Sequence, residues 1–101
     1  MDFVKIGKVG DVPENGMKGF VVNGNKIVVA NVGGKLHAMC SSCTHRGGHL
    51  EKGKLNGNIV TCPLHGSKFD LTNGKVVGGP AKKDEISYEV KSKDGDLLVR
   101  M

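Results

Sequence analysis

Lys18-Gly19-Phe20-Val21-Val22-Asn23-Gly24-Asn25-Lys26-Ile27-Val28-Val29-Ala30-Asn31 decides the fold class. Two short runs rich in β-branched residues flank Asn23-Gly24-Asn25, and Asn and Gly both tolerate the positive φ that a tight hairpin turn demands. The stretch therefore reads as a β-hairpin with strands at 18–22 and 26–31. The same pattern spreads outward. Upstream, 3–9 alternates apolar and polar over part of its length, and 11–16 reads as a loop. Downstream, Gly33-Gly34 turns the chain into a third strand at 35–39. Asn56-Gly57 joins 54–55 to 58–61, the segment 71–74 joins 68–70 to 75–77, and 92–95 joins 86–91 to 96–99. Sixteen glycines in 101 residues supply the punctuation. No amphipathic helix, internal repeat or linker interrupts it. The expected fold is all-β, a small antiparallel sandwich or barrel in a single domain over 1–101.

Composition agrees with a folded domain: 38% of residues are hydrophobic and 25% charged. Aromatics are scarce (Phe3, Phe20, Phe69 and Tyr88, with no Trp), so the core must rest on Val, Ile and Leu. The net charge is +5. The lysines are scattered rather than blocked, and the densest pair, Lys82-Lys83, is followed at once by Asp84-Glu85. That pattern reads as a solvated sheet surface and not as a nucleic-acid site, and it leaves room for an acidic docking partner. No apolar run approaches the length of a membrane span, and the first residues lack the parts of a signal peptide. The expectation is a cytoplasmic protein without membrane contact. Three cysteines, two of them in metal-ligand spacing, argue against a disulfide framework.

Two segments resist assignment to strands, 40–52 and 62–67, and between them they hold all three cysteines and three of the four histidines. The first contains Cys43-Thr44-His45; the second contains Cys62-Pro63-Leu64-His65. A Cys₂His₂ set on two loops could bind zinc or an iron–sulfur cluster. Ligands of a single zinc in one knuckle usually need at least two intervening residues, and Cys43 and His45 have one. In a strand-like stretch, residues two apart point the same way and sit roughly 6–7 Å apart. That spacing suits ligands of two irons better than ligands of one ion.

Cys43-Thr44-His45-Arg46-Gly47-Gly48-His49-Leu50, followed by Cys62-Pro63-Leu64-His65-Gly66-Ser67-Lys68-Phe69-Asp70, resembles the two-loop motif of Rieske proteins. Gly78-Gly79-Pro80 matches the proline loop, here 78–81, that packs beside the cluster in that family. The resemblance implies one [2Fe–2S] cluster, with Cys43 and Cys62 on the inner iron and His45 and His65 on the outer one. Two thiolates make the oxidised cluster neutral where four would make it doubly negative, so histidine ligation raises the potential. Gly47, Gly48 and Gly66 would let backbone N–H groups approach cluster sulfurs, and a hydroxyl at Ser67 can donate to a sulfide. The chain departs from respiratory members of the family. Phe69 stands where they carry Tyr, and Gly48 and Leu64 stand where they carry two disulfide cysteines. They also have a membrane anchor. The resemblance is therefore to the soluble ferredoxins of aromatic-ring dioxygenase systems, which take electrons from a flavin-dependent reductase and pass them to a terminal oxygenase. On this reading the chain is not an enzyme by itself.

Two alternatives stand beside it. Cys40, Cys43, Cys62 and His65 have acceptable spacing for a structural zinc module without redox function. The chain could also be the small Rieske subunit of a nitrite-reductase-like complex. In the ferredoxin reading, Cys40 is a partly buried residue at a strand end, His49 an exposed loop residue, His37 a surface or packing residue, and Arg46 a solvated loop cation or a docking contact.

Overall fold

The structure, a computed structural model, describes residues 3–41, 49–63 and 66–100. Its strands are β1 (Phe3–Lys8), β2 (Gly16–Val22), β3 (Asn25–Val32), β4 (Lys35–Cys40), β5 (Lys54–Asn56), β6 (Ile59–Thr61), β7 (Lys68–Asp70), β8 (Val76–Gly78), β9 (Ser87–Lys93) and β10 (Asp96–Arg100). They form a six-stranded antiparallel sheet in the order β1-β10-β9-β4-β3-β2 and a four-stranded one in the order β5-β6-β7-β8. Among the described residues the only helical pieces are two 3-10 turns, Val9–Asp11 and Leu50–Lys52. The all-β expectation is met.

Turn chemistry explains the hairpins. Asn23 and Gly24 take φ of 51° and 81°, and Asp94 and Gly95 take 53° and 82°. Positive φ at both central residues makes a two-residue turn whose twist matches the strands it joins. For that reason Asp96 pairs directly with Lys93, and β9 runs two residues past the end expected for it. Val9, expected at the end of the first strand, leaves the sheet instead. The Val12 N–H donates to its carbonyl at 3.1 Å, and Asp11 Oδ2 accepts from the Lys8 N–H at 3.0 Å.

Why β3 reads as an unbroken apolar run becomes clear from its surroundings. Ile27, Val28, Val29 and Ala30 are all fully buried, since both faces of the strand are covered. Val28 and Ala30 turn toward the small sheet and meet Met39, Leu50, Val60, Phe69 and Leu71. Ile27 and Val29 turn into the curl of the large sheet and meet Val12, Ala38, Leu97 and Val99. The first of these two cores also contains Cys62.

The turn from β7 to β8 is held by side chains. Asp70 Oδ1 accepts from the Thr72 hydroxyl at 2.6 Å and from its backbone N–H at 2.9 Å. These bonds favour the carboxylate, the hydroxyl bond most, and hold the Asp70 carboxyl below its usual 3.8. A lowered folded-state pKa contributes stability above the unfolded value that is lost as pH falls through the folded one. Thr72→Ala is therefore expected to raise the Asp70 pKa in a carbon-13 NMR titration and to narrow the difference in stability between pH 7 and pH 3. An unmoved titration curve would contradict this account of the turn.

Candidate metal centre

Backbone hydrogen bonds pinch both candidate loops at their bases. The first loop leaves β4 at Cys40, whose N–H donates to the Ile86 carbonyl at 2.8 Å. Ser41 then donates to the Lys26 carbonyl at 3.0 Å, and its own carbonyl accepts from the Leu50 N–H at 2.8 Å. Leu50, fully buried in the inter-sheet core, anchors the returning chain. Cys43, His45, Arg46, Gly47 and Gly48 lie between these bonds, outside the described residues. The structure refines the expected limits of this segment: Cys40 is still strand, and Leu50–Lys52 forms a 3-10 turn.

The second loop, at 62–67, is closed by the Cys62 N–H donating to the Ser67 carbonyl at 2.7 Å. Cys62 is 1% exposed and Ser67 fully buried, while Leu64 and His65 lie outside the described residues. Gly66 takes φ of 77°, a conformation that favours glycine whatever else the residue does.

Two glycines press neighbouring segments onto this loop. A Cβ on Gly53 would collide with the Thr61 carbonyl oxygen, so the exit of the first loop abuts the residue before Cys62. A Cβ on Gly79, which has φ of 80°, would sit 2.5 Å from Ser67 Cα and 2.7 Å from the Gly66 oxygen. Ser67 Oγ also accepts from the Ala81 N–H at 3.1 Å. The proline loop thus lies directly on the second candidate loop. These contacts join residues far apart in sequence, and only the glycines themselves hinted at them.

Beside Cys62 opens a recess of about 390 Å³ lined by Lys52, Gly53, Lys54, Thr61, Cys62, Pro63 and Gly66. The other residues singled out from sequence fall where expected. Cys40 is half-buried at the end of β4, His37 half-buried within it, and His49 exposed, with Nδ1 3.9 Å from Glu51 Oε1. Phe69 points into the core rather than to the surface.

The residues fit an iron–sulfur cluster. A buried cysteine on a pinched loop supplies a soft anionic ligand away from water. The Ser67 hydroxyl spends a lone pair on Ala81 and keeps its proton to donate to a sulfur. The comparisons agree. The profile of the Rieske [2Fe–2S] domain matches residues 2–93. The ferredoxin component of a naphthalene 1,2-dioxygenase/salicylate 5-hydroxylase system from Ralstonia sp is 35% identical over 90% of this chain and 88% of its own. Among solved structures, the Sphingomonas yanoikuyae B1 ferredoxin superposes with a TM-score of 0.92 at 25% identity, covering 99% of both chains. A complex of reduced oxygenase and oxidised ferredoxin in carbazole 1,9a-dioxygenase gives 0.87 at 27% identity, over 96% of this chain and 91% of that one. The zinc alternative falls with these findings: a match over nearly the whole chain brings iron and sulfide with it and leaves Cys40 as a strand residue. With the loops, the proline loop and the relatives all in agreement, the chain belongs to the Rieske [2Fe–2S] domain family, and its cofactor is one [2Fe–2S] cluster.

Proposed function

We propose that this protein is a cytoplasmic one-electron carrier, a single domain over 1–101, that takes electrons from a flavin-dependent reductase and delivers them to a terminal oxygenase such as an aromatic-ring dioxygenase. Cys43 and Cys62 hold one iron through sulfur, and His45 and His65 hold the other through ring nitrogens. The observation that carries the reading is the likeness, along nearly the whole length of both chains, to a protein that is itself a dioxygenase ferredoxin component. The same likeness favours a free carrier over a nitrite-reductase subunit. No helix among the described residues is long and apolar enough to cross a membrane.

When bound, the cluster supplies a one-electron ferric/ferrous couple. The chain's residues do the rest. Burial of Cys62 keeps water from its sulfur. Ser67 offers a hydroxyl proton that stabilises added negative charge and so raises the potential. Phe69 has no hydroxyl to add a second such bond, and Gly48 and Leu64 cannot form a disulfide. The midpoint potential is expected in the lower half of the Rieske range, which runs from about −150 to +300 mV.

Purified protein should contain about two irons and two acid-labile sulfides per chain and, when reduced, give a paramagnetic resonance typical of mixed His/Cys ligation. A colourless protein with one zinc would refute the proposal. Ser67→Ala should lower the potential in voltammetry. It should also cost about 1–3 kcal/mol in a denaturant titration, because the buried Ala81 N–H loses its acceptor. A potential unchanged by the substitution would remove Ser67 from the account of the couple.

A further inference from the structure

The chain's positive charge is unevenly placed. Between His49 and Lys83 stand six lysines against two carboxylates, Glu51 and Asp70, so about a third of the sequence holds +4 of the total +5. Of the next two carboxylates, Asp84 stands at the β8 edge of the small sheet, where it accepts from the Val76 N–H at 2.9 Å, and Glu85 is buried.

Strand register shows where two of these lysines lie. Lys54, Thr61, Lys68 and Gly78 form one row straight across β5, β6, β7 and β8. Each is one residue from a member of the cluster site: Gly53, Cys62, Ser67 and Gly79. The adjacent row of Leu55, Val60, Phe69 and Val76 packs on the core, so the lysine row faces outward. Lys52 and Lys54 line the recess beside Cys62, and Lys68 lays its stem along Gly78, its Cδ 3.6 Å from where a Cβ there would be. No ion pair among the described residues engages Lys52, Lys54 or Lys68. On the large sheet Lys5 and Lys8 share Asp96 and Arg100 meets Glu89, while Lys18, Lys26 and Lys35 sit on three different strands. Apolar residues stand among the lysines: Val77 is 54% exposed at the bulge of β8, and Pro63 and Pro80 are exposed.

We propose that this outer face of the small sheet docks an electron-transfer protein whose contact surface carries carboxylates. The proposal rests on the electron-carrier reading above and names the chemistry of its partner. Unpaired lysines around small apolar spots form the charged rim and dry centre of a transient protein interface. Exposed Val77 has no use against a phosphate backbone. The face begins one residue from Cys62, so a partner seated on it lies close to the source of the electron. His49 adds little to the attraction, because Glu51 already stands beside it.

Two anionic probes test this on the holoprotein. Hexacyanochromate(III), paramagnetic and redox-inert, should broaden the Val77 methyl signals more than those of Val21, which lies on the large sheet. The double variant Lys54→Glu/Lys68→Glu should abolish that preference. Hexacyanoferrate(III) removes one electron from the reduced protein and becomes hexacyanoferrate(II). This oxidation should slow as salt rises, and slow about threefold or more in the double variant. Lys91→Glu/Lys93→Glu makes the same charge change on β9 and should slow it far less. Equal slowing by both variants, or broadening centred on the large sheet, would overturn the proposal, because net charge alone would then account for the attraction. A chain that binds no cluster would refute the electron-carrier reading instead, and the broadening measurement would still judge the face.

Discussion

Cys62→Ser is expected to purify with less than about a tenth of the wild-type iron and acid-labile sulfide, while Cys40→Ser keeps both. The contrast follows from where the two thiols sit. Cys62 is 1% exposed, at the base of a loop closed by its own N–H to the Ser67 carbonyl. Its sulfur is fixed in place, and serine offers at that point a hydroxyl that does not ionise near neutral pH. Cys40 ends β4, half-buried, and its backbone is tied to Ile86. The bonds that shape the second loop belong to the backbone, so the Cys62 variant should keep its far-ultraviolet β-sheet signal and lose its visible absorbance. Its thermal midpoint should fall, because a group bound only by the folded chain stabilises that chain by mass action. Iron and sulfide assays with circular dichroism decide the matter. Loss of the cluster in the Cys40 variant with retention in the Cys62 variant would reverse the ligand assignment.

The ease with which this fold can be read comes from its turns. Asn23-Gly24, Gly33-Gly34 and Asp94-Gly95 are local signals, and each marks a hairpin because its residues accept positive φ. The candidate ligands were legible for a similar reason, since C-x-H and C-x-x-H are short spacings. Partnerships made across the chain were not legible. Nothing local says that β1 pairs with β10, that β9 joins β4 through only Ala38–Tyr88 and Met39–Ser87, or that Glu51 lies against Gly19. The outward row of lysines was equally hidden. Lys52, Lys54 and Lys68 look scattered in sequence, and only the register of β5, β6 and β7 sets Lys54 and Lys68 in one row beside Cys62. Strand ends were misplaced where a bulge intervenes. The pairing of β7 with β8 slips between Lys68 and Phe69, which moves β8 one residue along to Val76–Gly78.

Gly79→Ala should be far more damaging than Gly24→Ala, although the two glycines share the same backbone angle. Gly79 has φ of 80° and Gly24 has 81°. Left-handed backbone costs an L-residue about 1–2 kcal/mol wherever it occurs. At Gly24, in the turn between β2 and β3, an added Cβ meets nothing within 4 Å, so that cost should be the whole effect. At Gly79 the Cβ would stand 2.5 Å from Ser67 Cα and 2.9 Å from Ser67 N. Those are backbone atoms of a closed loop, and they cannot rotate away as a flexible side chain can. The proline loop must lift instead, stretching the 3.1 Å bond from the Ala81 N–H to Ser67 Oγ. Backbone strain and displaced packing together should cost about 2–5 kcal/mol. The loop's movement gives the argument a second readout. If the proline loop covers the cluster through this contact, Gly79→Ala should also shift the resonance of the reduced protein and its midpoint potential, while Gly24→Ala leaves both at wild-type values. Denaturant titrations and voltammetry on the two variants test the contact directly. Equal losses of stability with two unchanged potentials would mean that the glycine at 79 serves only its backbone angle, and that the loop does not depend on its closeness to Ser67.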